Sequence, residues 1–133
     1  MADYRERAEQ FQRAGFAIVT LSVDEPRRTA SLRESEQLPF VMLCDVERRV
    51  VREWDLYNAR EKGGIAVPAT FVLDGERRVL LASVDGVRHR ADADEVLAFA
   101  RGEGASAGRR VISGTWLRAF RNIVRHGVIS PRK

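Results

Sequence analysis

The sequence predicts an α/β layer fold, and three observations carry that prediction. Stretches with helical and strand character alternate in the order helix, strand, helix, strand, helix, strand, strand, helix. Such alternation places parallel strands beneath helical crossovers. Two short apolar runs, Phe16–Val23 and Phe40–Cys44, each lead directly into a helix-start signal. Two further runs, 69–74 and 79–84, are separated only by Asp74-Gly75-Glu76-Arg77 and its neighbour, so they must fold back as an antiparallel hairpin.

In order, residues 2–14 read as a helix with Tyr4, Ala8, Phe11 and Ala14 on one stripe and Gly15 at its C′ position. Phe16–Val23 is nearly continuous in apolar character, the pattern of a strand buried on both faces. Asp24-Glu25-Pro26 supplies an N-cap, an acid in the first turn and an early-helix Pro. That helix runs to about Ser35, with Ala30 and Leu32 expected inward. Asp45 caps a third helix, in which Val46, Val50, Val51 and Trp54 recur at helical spacing. Residues 55–66 read as a loop loosened by Gly63-Gly64, and a helix at 92–101, buried through Val96 and Leu97, completes the body.

At 133 residues the chain is long enough for one domain with a proper core. Hydrophobic content of 44% and charged content of 32% are those of a soluble globular protein. No apolar run approaches the roughly 18 residues of a membrane span, and no signal peptide is evident, so a cytoplasmic location is expected. One cysteine, Cys44, excludes an internal disulfide and a cysteine-based metal site. His89 and His126 make no ligand spacing, and His89 stands in a charged loop. The net charge of +4 is unevenly placed: residues 102–133 carry seven basic groups and one acid, and the remainder is net −2. The high pI belongs to the tail.

The stretch Val67-Pro68-Ala69-Thr70-Phe71-Val72-Leu73-Asp74 opens the hairpin-plus-helix ending, and this ending resembles the C-terminal half of the thioredoxin fold. Residues 15–24, Leu38-Pro39-Phe40-Val41-Met42-Leu43-Cys44-Asp45 and the Asp74-Gly75 turn resemble the peroxiredoxin-like redoxins of the alkyl hydroperoxide reductase/thiol-specific antioxidant superfamily. The resemblance covers about residues 3–101. It implies a thioredoxin-like three-layer sandwich with peroxide- or disulfide-reducing chemistry, no cofactor, and a thioredoxin-like reductant for an active full-length form. In that family the catalytic cysteine precedes the first helix, whose N-terminus favours the thiolate. Neither Pro-x-x-x-Thr-x-x-Cys nor Cys-x-x-Cys occurs in this sequence. By resemblance the first central strand is also missing, between the strands at 16–23 and 69–74. The chain is therefore expected to be N-terminally truncated or reduced, with open strand edges inviting a homodimer.

Where typical peroxiredoxins carry an Arg, this sequence has Pro68, which matches the cis-Pro of thioredoxin-like oxidoreductases. The resemblance thus makes Pro68, with Val67 and Thr70, the substrate-adjacent positions. Cys44 is the one candidate nucleophile. A helix N-terminus after Asp45 would favour its thiolate, whereas the Asp45 carboxylate next door opposes it. A cysteine ending an apolar strand is ordinarily a small buried hydrophobe, and that is the expectation here. Asp24, Asp45 and Asp74 each follow an apolar run, but each has a duty as cap or turn residue and no ligand spacing appears.

The small-residue stretch 102–108 reads as a linker. Residues 109–133 read as a basic amphipathic helical tail, with Trp116, Leu117, Phe120, Ile123 and Val124 on one side and Arg118, Arg121 and Arg125 opposite. Packing on the body or a protein partner suits it best, ahead of an anionic membrane surface. No nucleic-acid reading motif accompanies the charge. The alternative to an enzyme is a redoxin scaffold that serves as a non-enzymatic interaction module.

Overall fold

A computed structural model of the chain describes residues 1–61, 63–84, 91–103 and 110–112, the last three by backbone alone. In chain order the elements are α1 (Ala2–Glu6), α2 (Ala8–Arg13), β1 (Val19–Ser22), α3 (Pro26–Ser35), β2 (Val41–Cys44), α4 (Arg49–Glu53), β3 (Tyr57–Asn58), β4 (Ile65–Ala66), β5 (Ala69–Leu73), β6 (Val79–Val84), α5 (Ala93–Ala100) and β7 (Arg110–Ile112). They fall into two compact units, Met1–Arg49 with Ala93–Gly104, and Val50–Asp92 with Ala105–Lys133.

In the first unit the helix expected over 2–14 forms as two, interrupted at Arg7, whose φ of −102° and ψ of 3° leave the helical region. The Arg7 guanidinium reaches the first turn of α5, where Nη2 lies 2.7 Å from Asp94 Oδ2 and Nε donates to Oδ1. Phe11 is buried and stacks on Tyr4 with ring centroids 5.8 Å apart. The expected stop at Gly15 is present. Its φ is +82°, and the Phe16 N–H closes on the Phe11 carbonyl at 2.9 Å, the hydrogen bond of a Schellman end.

β1 and β2 pair in parallel, from Val19 opposite Val41 to Ser22 opposite Cys44. Only four residues of the expected strand 16–23 join the ladder, because β2 is itself four residues long. One face of this pair turns toward α3, where the hydroxyls of Ser22 and Thr29 lie 3.5 Å apart. The opposite face presents Val19, Leu21, Val41 and Leu43, which are 55%, 39%, 54% and 48% exposed. The sequence expected burial on both faces; only one is covered among the described residues.

Two expectations for α3 are corrected. Its N-cap is Glu25, not Asp24, whose carboxylate instead pairs with Arg28 one turn on, at 3.6 Å. Ala30 and Leu32 are exposed, and Thr29 is the residue turned inward. The helix meets the sheet through a hydroxyl pair, so no apolar stripe is required of it.

α4, whose first residue closes the first unit and whose others open the second, starts at Arg49 and not directly after Asp45. Arg48 has φ +58°, and its N–H closes a turn on the Asp45 carbonyl at 2.8 Å, which delays the helix. Val51 is buried, and Trp54 meets Phe71 edge-on at 5.0 Å. The loop expected over 55–66 contains a short antiparallel ladder, Tyr57 opposite Ala66 and Asn58 opposite Ile65. Gly63 and Gly64, at φ +73° and +100°, supply the turn.

β5 and β6 form the expected antiparallel hairpin, with an irregularity between Val72 and Leu73. β6 is the central strand, and its Val79, Leu81, Ala82 and Ser83 are buried. β7 pairs in parallel with β6, Ala82 standing opposite Val111. The tail expected to be helical from residue 109 therefore begins as a strand. The β-branched Val111-Ile112 suits the edge of β6 better than a helix turn. Residues 113–133, with Trp116, Phe120, Arg118, Arg121 and Arg125, lie outside the described residues, as do 104–108 of the expected linker, Arg109 and His89.

No cis peptide bond occurs among the described residues, so Val67–Pro68 is trans and not the expected cis. An X–Pro bond favours trans by about 0.5–1 kcal/mol. Pro68 is exposed, so packing does little to offset that preference.

Candidate functional site

The sole thiol closes β2. Ladder alternation sends the Met42 and Cys44 side chains to the α3 side, where they line an open cavity of about 460 Å³ with Pro26, Thr29, Ala30 and Arg33. Cys44 is half-buried, not the fully buried hydrophobe expected. The groups beside it are committed elsewhere. The Asp45 N–H donates to the Ser22 carbonyl at 2.7 Å, and Asp45 Oδ1 accepts the Arg49 N–H at 2.9 Å. The first turn of α4 thus directs an N–H to the Asp45 carboxylate, and the expected capping role of Asp45 is present one turn later than its sequence position implies.

Val67, Pro68 and Thr70 belong to the second unit. Pro68 is the exposed joint between β4 and β5, which is where a residue without an N–H is tolerated. The Val67 N–H donates to the Leu56 carbonyl at 2.7 Å and pins the approach to that joint. Thr70 stands on β5 opposite Ser83. On β3, the Tyr57 ring has the Arg52 guanidinium 4.7 Å over it, and Gly64 packs against the same ring. The roles of Tyr57 and Arg52 were not legible in the sequence, because the ladder that sets Tyr57 in place falls in a stretch that reads as loop.

Asp74 does the work of a turn residue. Oδ1 accepts the N–H groups of Glu76 and Arg78, each at 2.9 Å, and Oδ2 accepts the Arg78 guanidinium at 2.6 Å. The Arg78 N–H above all, then its side chain and the Glu76 N–H, hold the Asp74 carboxyl below its ordinary 3.8 against the effect of desolvation. The same pair raises Arg78. Asp94 is likewise lowered, through its hydrogen bonds from Arg7. Among the described residues no group of three or more His, Cys, Asp or Glu could hold a metal ion. No helix there is long and apolar enough to cross a membrane.

The AhpC/TSA family model matches residues 1–82, more than half of the chain. The chain belongs to the AhpC/TSA family. Among curated relatives of this redoxin, a peroxiredoxin of Thermoplasma volcanium is 31% identical over 77 residues, which are 53% of this chain and 37% of that protein. The chloroplastic peroxiredoxin Q of Gentiana triflora is 28% identical over 96 residues, 72% of this chain and 44% of that one. Among solved structures, reduced Prx3 of Vibrio vulnificus in complex with H2O2 superposes with a TM-score of 0.70 at 18% identity, covering 77% of this chain and 66% of that one. The peroxidoxin BcpB of Mycobacterium tuberculosis gives 0.68 at 24% identity, covering 78% and 68%.

These superpositions establish the α/β, thioredoxin-like fold that the sequence predicted. The redoxin chain spans about half the length, or less, of the curated relatives it matches.

Proposed function

We propose that this chain is a redoxin scaffold of the peroxide- or disulfide-reducing class, and that its 133 residues do not by themselves turn over peroxide. Family membership and relatives named peroxiredoxins support the class, as does a structural neighbour solved with H2O2. One observation carries the second half: the N–H at the start of α4 is directed to the Asp45 carboxylate and not to the Cys44 sulfur. A peroxide-reactive thiolate needs donors or positive charge held toward the sulfur.

In this reading Pro68, flanked by Val67 and Thr70, presents backbone to a substrate beside a cysteine that these residues do not contain. A thioredoxin-like protein serves as reductant of the active form, and a homodimer forms through open strand edges. The tail residues Trp116, Phe120, Arg118, Arg121 and Arg125 belong to a partner-binding segment.

A peroxide assay coupled to NADPH through thioredoxin and its reductase tests the reading. The expected result is no turnover above background for the chain and for Cys44→Ser alike. Turnover that disappears in Cys44→Ser overturns it.

A further inference from the structure

We propose that Cys44 is a covalent modification site for a small zwitterionic disulfide, which seats in the cavity between α3 and β2 and leaves one of its halves on the thiol. The walls of that cavity come from residues 26–44 alone, and its volume of about 460 Å³ lies within the range of small-molecule sites. β2 supplies Met42 and Cys44 from one side, and α3 supplies Thr29, Arg33 and Glu34 from the other.

Two observations besides the free thiol point to a ligand there. Thr29 is only 6% exposed, and its hydroxyl has one side-chain partner among the described residues, Ser22 Oγ at 3.5 Å. That separation exceeds the roughly 2.5–3.0 Å of a good O–H···O bond, so a buried hydroxyl in the cavity wall retains bonding capacity. Arg33 and Glu34 are the charged residues lining the cavity, and neither forms an ion pair among the described residues. Arg33 Nε donates to the Leu38 carbonyl at 3.4 Å, which leaves both Nη groups for a ligand.

One uncommitted cation and one uncommitted anion in the same wall match a zwitterion, its carboxylate on Arg33 and its ammonium group on Glu34. A purely anionic or purely cationic molecule meets one like charge. Arg33 follows Thr29 by one turn on the same helix face, and Met42 and Cys44 share a face of β2. The charged and reactive groups are thus about one turn apart, the span of an amino acid with a sulfur side chain.

In the exchange the Cys44 thiolate attacks one sulfur of the disulfide. The new sulfur–sulfur bond forms as the old one breaks, and the departing thiolate takes up the proton that Cys44 released. Cys44 is oxidised to the mixed disulfide and the other half of the reagent is reduced to a thiol. The disulfide is the oxidant, so the step is independent of peroxide turnover. Positioning in the cavity, and not an activated sulfur, supplies the rate.

Intact-mass kinetics of the full chain with cystine test this, beside cystamine, which carries only ammonium groups, and dithiodiglycolate, which carries only carboxylates. Each rate is divided by that of the same reagent with the chain unfolded in guanidinium chloride. The expected result is a single cysteinyl adduct, reversed by dithiothreitol and absent in Cys44→Ser. On this scale it should form at least about tenfold faster with cystine than either other reagent reacts. Arg33→Gln is expected to lose that advantage. Glu34→Gln should raise dithiodiglycolate toward cystine, and it reports on the cavity even where Arg33→Gln disturbs the contact with Leu38. Equal relative rates for the three disulfides, or a cystine preference that survives both substitutions, overturns the assignment.

Discussion

Asp74 is held below its ordinary value because the folded turn gives its carboxylate three donors, two backbone N–H groups and the Arg78 guanidinium. A carboxyl depressed on folding stabilises the fold above its unfolded value of 3.8, and that contribution is lost as pH falls through the folded value. Asp94 carries the same sign through Arg7. Denaturant unfolding between pH 6 and about pH 2 should therefore show stability falling on the acid side, with a shallower fall in Asp74→Asn. An unchanged slope in that variant would contradict the role given to the turn. The duty of Asp74 was legible, because Asp-Gly after an apolar run is a turn signal with a mechanism. That of Arg7 was not. Nothing local marks a helix residue whose partner lies 87 positions away.

At the scale of elements, the positions that decide the local shape are those with left-handed backbone. Gln37 ends α3 at φ +50°, where the Leu38 N–H returns to the Arg33 carbonyl at 3.0 Å. Only glycine adopts that conformation without a side-chain penalty, so Gln37→Gly should stabilise the protein by about 1 kcal/mol. Thermal unfolding checks this, and a lowered Tm would contradict it. Gly64 is the opposite case. At φ +100°, an added Cβ would meet the Tyr57 hydroxyl and lie 2.6 Å from a ring carbon. Gly64→Ala should cost about 2–4 kcal/mol in chemical denaturation, by strain and overpacking together; a near-neutral change would show that the β3–β4 turn is not built as described.

Strand and helix identities were largely readable, since the apolar runs and the Asp74-Gly75 turn are local signals. Lengths and faces were not. β1 is cut to four residues by the length of its partner, and α3 turns Thr29 inward because Ser22 is what it meets. The β3–β4 ladder hid behind Gly63-Gly64, a pair that reads as loop until Tyr57 is seen against it.

For the whole molecule, family membership was legible in order: the Leu38–Asp45 stretch and the hairpin after Pro68 resemble a redoxin's, and the family model matches residues 1–82. The tail was the least legible part, since a basic amphipathic pattern does not reveal that Arg110–Ile112 pairs with β6. Cys44 ends a strand beside a carboxylate that itself takes the first helix N–H, and this surrounding gives peroxide no reason to react there faster than with an ordinary thiol. Stopped-flow measurement of the Cys44 reaction with H2O2, against free cysteine at the same pH, addresses that directly. The predicted rate constant lies within about tenfold of free cysteine, a barrier difference under about 1.4 kcal/mol. A reaction faster by about a thousandfold or more, lost in Cys44→Ser, would mean that Cys44 is a peroxide-reducing nucleophile after all.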